Sequence, residues 1–105
     1  MINQTIISHI VVFWLKSNVS EEKKDEIISE AKKLDKIPGL KSFHIGNMLP
    51  SSRDVVDNTY DFAFNMTFTS KVDLETYLNH NLHQEFVNLF IKPNIEKLRV
   101  FDFSL

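Results

Sequence analysis

Four side chains spread along the sequence carry the means for proton transfer if folding gathers them: His9, Tyr77, His83 and Asp102. A carboxylate beside an imidazole fixes its tautomer and raises its basicity. With Asp102 behind it, His83 would take a proton α to a carbonyl, while the Tyr77 hydroxyl would hydrogen-bond the developing oxyanion. The same four groups have a plainer reading, in which they satisfy one another inside a core, as buried polar groups generally must. Two histidines, His80 and His83, stand at i, i+3, a spacing that brings both to one ion on a regular helix turn. Metal sites usually take at least three protein ligands, and no third of comparable placement accompanies them. His80 therefore reads as a capping or solvent-facing residue, and neither a metal nor any other cofactor is expected.

The elements that must place these groups follow from the patterning. Residues 5–15 are almost wholly apolar and rich in β-branched and aromatic types, the mark of a strand buried on both faces. Ile7, His9, Val11 and Phe13 share one face, and Ile10, Val12 and Trp14 the other. Ser20 followed by Glu21 and Glu22 starts a helix that runs to about Lys36 with Ile27, Ile28, Ala31 and Leu34 inward; Pro38 and Gly39 end it. Its Lys and Glu face is solvated. A weaker strand over 40–49 and a polar loop over 50–59 lead to the strand 60–69, where Tyr60, Phe62, Phe64, Met66 and Phe68 alternate with smaller or polar residues. Ser70 caps a short helix bearing Val72, Leu74, Tyr77 and Leu78, with Asp73 positioned to return the bond. A further helix follows, with Leu82, Phe86, Leu89 and Phe90 inward. The last strand, 97–105, alternates Leu98, Val100 and Asp102 against Arg99, Phe101 and Phe103.

The order β-α-β-β-α-β is that of a ferredoxin-like α+β fold, a four-stranded antiparallel sheet with helices on one face, in one domain over residues 1–105. His9 and Asp102 then lie on the helix-facing side of the first and last strands, opposite Tyr77 and His83 on the covering helices. The other side of the sheet is left bare, and it carries Ile10, Val12, Trp14, Phe101 and Phe103. So large an apolar area calls for a cover, and a second copy, sheet against sheet, is the economical one.

Composition narrows the partners. A net charge of −2 and a pI near 6.0 lack the clustered Lys and Arg that counterion release needs, which argues against nucleic acid. The absence of cysteine removes disulfides and suits a reducing cytoplasm. The run 6–15 has about half the length of a membrane span, and no membrane association is expected. Nine Phe are the compositional oddity, fitting either a tightly filled core or an apolar pocket.

Six segments in order resemble the stress-responsive A/B barrel domain (Dabb) family: HIVVFWLK from His9, VSEEKKDEI from Val19, IPGLKSFHIG from Ile37, YDFAFNMTF from Tyr60, DLETYLNHNLHQEF from Asp73 and LRVFDF from Leu98. The resemblance covers nearly the whole chain and implies a dimeric α+β barrel, two sheets face to face with helices outside. The family's His-Pro-x-His-x-x-Phe segment stands here with Asn81 in place of proline. One plant member is a cofactor-independent polyketide cyclase whose Tyr and His match Tyr77 and His83, with a further His and Asp matching His9 and Asp102. Another pocket His of that enzyme corresponds to Phe62.

Two functional readings stay open. The leading one is a homodimer, of unassigned or stress-related role, holding a small apolar or aromatic ligand between sheet and helices among Val11, Phe13, Ile27, Phe62, Phe64, Met66 and Val100. The alternative is a polyketide-cyclase-like enzyme of aldol or lyase type using His83 and Tyr77. A cofactorless or haem-using monooxygenase on the same barrel ranks third, because the resemblance runs to Dabb segments throughout.

Overall fold

The computed structural model describes residues 5–105, so the first four residues of the expected domain lie outside the described residues. The elements are β1 (Ile7–Leu15), α1 (Glu21–Ala31) with a 3-10 extension (Lys32–Lys36), β2 (Leu40–Asn47), β3 (Phe62–Phe68), α2 (Lys71–Asn79), α3 (Asn81–Phe86) prolonged by a π-helical turn (Val87–Ile91), and β4 (Ile95–Ser104). All strand pairs are antiparallel, in the order β2-β3-β1-β4. The first and last strands are therefore neighbours, as a ferredoxin-like α+β fold requires.

Local chemistry sets the boundaries. The Ser20 hydroxyl accepts from the Lys23 N–H at 3.1 Å, and Glu21 and Glu22 occupy the first turn of α1. Gly39 has φ 91°, and a Cβ there would stand 2.8 Å from the Cβ of Asp73, so both conformation and close approach demand glycine. Ser70 caps α2 through the Asp73 N–H at 3.2 Å. The Asp73 carboxylate does not return that bond; it accepts from the Thr69 hydroxyl instead.

Under the helices, Phe62, Phe64, Met66 and Phe68 of β3 meet Val11 and Phe13 of β1, and Phe13 stacks on Phe62 with ring centroids 4.7 Å apart. Ile27, Ala31, Leu34 and Ile37 close the core from one end, and Leu74, Tyr77, Phe86 and Ile91 from the other. Two features differ from the pattern reading. The first is the inward face after α3: Ile91 is buried, whereas Leu82 and Leu89 are exposed. The Lys92 N–H bonds the Val87 carbonyl, and this i to i+5 turn is wider than an α-turn and rotates the face. The second is β4, which the helices leave uncovered: Leu98 and Val100 point to their side yet are 43% and 44% exposed.

On the opposite face Ile10, Val12 and Trp14 are half-buried, and Phe101 and Phe103 are 54% and 48% exposed. Ile10 is the direct cross-strand partner of Phe101. The Trp14 indole N–H donates to Thr59 Oγ1 at 2.9 Å, and the Lys97 ammonium stands 4.5 Å from the indole centroid. Among the described residues no helix is long and apolar enough to cross a membrane.

Candidate functional site

Because the helices stop short of β4, a cavity of about 200 Å³ remains between them and the sheet. Its floor is His9, Val11 and Phe13 of β1, Phe64 of β3, and Leu98 and Val100 of β4; its roof is Tyr77 and Leu78 of α2, then His83, Phe86, Val87 and Ile91. Of the residues expected to hold a ligand, Val11, Phe13, Phe64 and Val100 line this space. Ile27, Phe62 and Met66 do not: each is 0% exposed, sealed within the packed core. The alternation on β3 fixes which face a residue takes, and cannot say how far along that face the packing stays closed.

The four polar candidates come together, though not in the expected pairing. Asp102 is the direct cross-strand partner of His9, and its carboxylate accepts from His9 Nδ1 at 2.5 Å. The sequence reading sets Asp102 behind His83; the register of β4 on β1 pairs it with His9 instead. His83 instead turns Nδ1 to the carbonyl of Leu78, 3.1 Å away. A carboxylate and a carbonyl only accept, so Nδ1 carries the hydrogen in each ring, and in the neutral form of His83 Nε2 keeps its lone pair. The Tyr77 ring lies between them, 6.3 Å from His9 and 4.6 Å from His83 by centroids.

Burial holds the His83 pKa below its ordinary 6.5; the Leu78 bond opposes this and the neighbouring His9 adds to it. Burial alone pushes the Tyr77 phenol well above its usual range. Near neutral pH the site thus offers an uncharged imidazole beside a phenol that keeps its proton. Among the described residues the Tyr77 hydroxyl and both Nε2 atoms make no hydrogen bond, yet none is a sealed, partnerless polar atom. His9, Tyr77 and His83 all line the cavity, which therefore sets a phenol and two imidazoles among otherwise apolar walls.

His80 sits elsewhere in the logic of the site. Its backbone is extended, breaking the helix between α2 and α3, and its Nδ1 accepts from the Leu82 N–H at 3.1 Å. That puts Asn81 at the first position of α3, where proline is favoured but nothing requires it. Among the described residues no three His, Asp or Glu side chains converge as a metal-ligand set. Pattern reading missed Leu78, Val87 and Ile91 as lining residues. The signal was there, because 83, 87 and 91 lie at i, i+4, i+8, one turn-stripe away from the one chosen.

Comparison with known proteins agrees with this fold. The family profile described as Stress responsive A/B Barrel Domain matches residues 7–105. The stress-response A/B barrel domain-containing protein HS1 of Arabidopsis thaliana is 31% identical over 99 residues, covering 93% of this chain and 88% of that protein. Among solved structures, a hydroxynitrile lyase from Passiflora edulis superposes with a TM-score of 0.85 at 27% identity, covering 98% of this chain and 95% of its own. A dimeric ferredoxin-like protein of unknown function from Thermobifida fusca gives 0.83 at 24% identity, covering 100% and 95%. The profile spans nearly the whole chain, and the protein belongs to the stress-responsive A/B barrel domain family.

Proposed function

We propose that this protein is a homodimeric binding module of the reducing cytoplasm, holding one small apolar or aromatic molecule between sheet and helices. The observation that carries the reading is the make-up of the cavity: apolar walls from Val11, Phe13, Phe64, Phe86 and Val100 stand beside the polar side chains of His9, Tyr77 and His83. An engineered apolar cavity of roughly 150 Å³ admits benzene, so about 200 Å³ suits a single ring bearing a hydroxyl or carbonyl. The exposed Phe101 and Phe103, beside Ile10, Val12 and Trp14, support association through the outer face of the sheet. The dimeric Thermobifida fusca protein of the same fold agrees with it. Titration with 4-ethylphenol, followed by methyl NMR, should move Val11, Val100 and Ile91 while leaving Met66 in place; shifts confined to the exposed Leu49 and Val55 would contradict the reading.

A second reading, a cofactor-independent lyase or polyketide-cyclase-like enzyme, is favoured by His83 itself. It is neutral near pH 7, of fixed tautomer, and its ring centroid lies 4.6 Å from that of a Tyr77 ring that keeps its phenol proton. Similarity to the Passiflora edulis hydroxynitrile lyase supports it. On a cyanohydrin, His83 Nε2 would take the hydroxyl proton as the carbonyl forms and the C–CN bond breaks. The electron pair leaves with cyanide, which then receives the proton, while Tyr77 hydrogen-bonds the oxygen. Cyanide release from mandelonitrile that falls about 10² to 10⁴-fold in His83→Asn would establish this reading; no release above buffer would exclude it for that substrate.

A further inference from the structure

Leu78, His83 and Val87 line two spaces at once. On one side is the apolar cavity; on the other is an open groove of about 330 Å³ whose remaining walls are Gln84, Asn88 and Lys92. The two are neighbouring stripes of one helical segment, 83, 87 and 91 facing the cavity and 84, 88 and 92 facing the groove. The groove next to the cavity thus offers two carboxamides and an ammonium. No carboxylate lines the groove, although the chain as a whole carries a net charge of −2. The Lys16 ammonium, 3.5 Å from the Lys92 carbonyl, adds a second positive charge at that end. Among the described residues neither lysine joins the ion pairs, which are His9 with Asp102, Lys23 with Glu26, Lys24 with Glu21 and Lys33 with Glu30.

Building on the reading that the cavity holds an apolar group, we propose that the groove binds the anionic end of the same molecule. The ligand is then an aryl or alkyl carboxylate, its ring or chain in the cavity and its carboxylate on Lys92, with the Gln84 and Asn88 amides as further donors. The cavity is the poorer place for the charge, because among its mostly apolar walls an ionised carboxylate gives up more hydration than a few polar side chains return. The groove keeps that end in water and supplies a cation.

Calorimetry with 4-phenylbutanoate and its neutral counterpart 4-phenylbutan-1-ol, on the full chain and on Lys92→Gln and Lys92→Glu, tests this. The parent should bind the carboxylate roughly three- to ten-fold more tightly than the alcohol, with the margin shrinking as salt is added. Lys92→Gln should erase the margin and Lys92→Glu invert it, while the alcohol binds all three proteins alike. Alcohol binding without a carboxylate preference, or a preference that survives Lys92→Gln, overturns the anion site and leaves the cavity reading standing. If neither compound binds the parent, both readings fall together.

Discussion

Tyr77 and His83 face each other across the break between α2 and α3, ring centroids 4.6 Å apart, and the imidazole is held by the carbonyl of Leu78. That carbonyl belongs to the last turn of α2, where carbonyls lack helical partners. It is available because His80 is extended and α3 starts afresh. The break that ends one helix thus orients the imidazole and leaves Nε2 for the cavity.

Titration of His83 should be visible in stability. Its folded-state pKa lies below the ordinary 6.5, so below that pH the unfolded chain binds the proton more readily than the folded one. Stability is then full above about pH 6.5 and declines as pH falls toward the folded-state pKa. Chemical denaturation at pH 7.5 and 5.5 should show the decline in the parent and a smaller one in His83→Asn; equal declines would remove His83 from the account.

Asp102 anchors His9 from a half-exposed position, its side chain 45% accessible. Asp102→Asn should cost about 1 kcal/mol, toward the low end for a strained or lost bond to a buried partner, read as a lower denaturation midpoint. His83→Asn should leave binding of a neutral aromatic within a few fold. If the protein is an enzyme, the same variant removes turnover, since uniform binding contributes none of the rate.

The outer face should not tolerate charge. Val12→Glu or Phe101→Glu would place an unpaired carboxylate in a desolvated sheet-to-sheet contact, a cost of several kcal/mol. Light scattering should find monomer or aggregate for both variants, and an unchanged dimer would remove this face as the contact.

Core and cavity should respond differently to truncation. Met66 is fully sealed, so Met66→Ala should destabilise by about 2 to 5 kcal/mol. Val100, 44% exposed at the cavity, should tolerate Val100→Ala with a far smaller loss in a denaturant melt.

Much of this arrangement is legible from residue types. The alternation of Phe62, Phe64, Met66 and Phe68 and the caps at Ser20 and Ser70 locate strands and helix starts because they report on local backbone geometry. The partnership of His9 with Asp102 needs the register of β1 on β4, which hydrophobic alternation narrows to a face and no further. The exposure of Leu82 and Leu89 was hidden for another reason. Apolar type says what a residue can bury, while the π-helical turn and the reach of the helices over the sheet decide what is buried. Ile27, Phe62 and Met66 point into the helix-covered core, but the cavity reaches β3 only at Phe64.

Whether a small aromatic molecule binds in this cavity decides the function. Val100→Trp would fill that space from a position on β4 that is 44% exposed and outside the packed core. Calorimetric titration of 4-phenylbutan-1-ol into the parent should give saturable binding, and Val100→Trp should abolish it with the melting temperature little changed. Equal affinity in the two proteins would contradict the account.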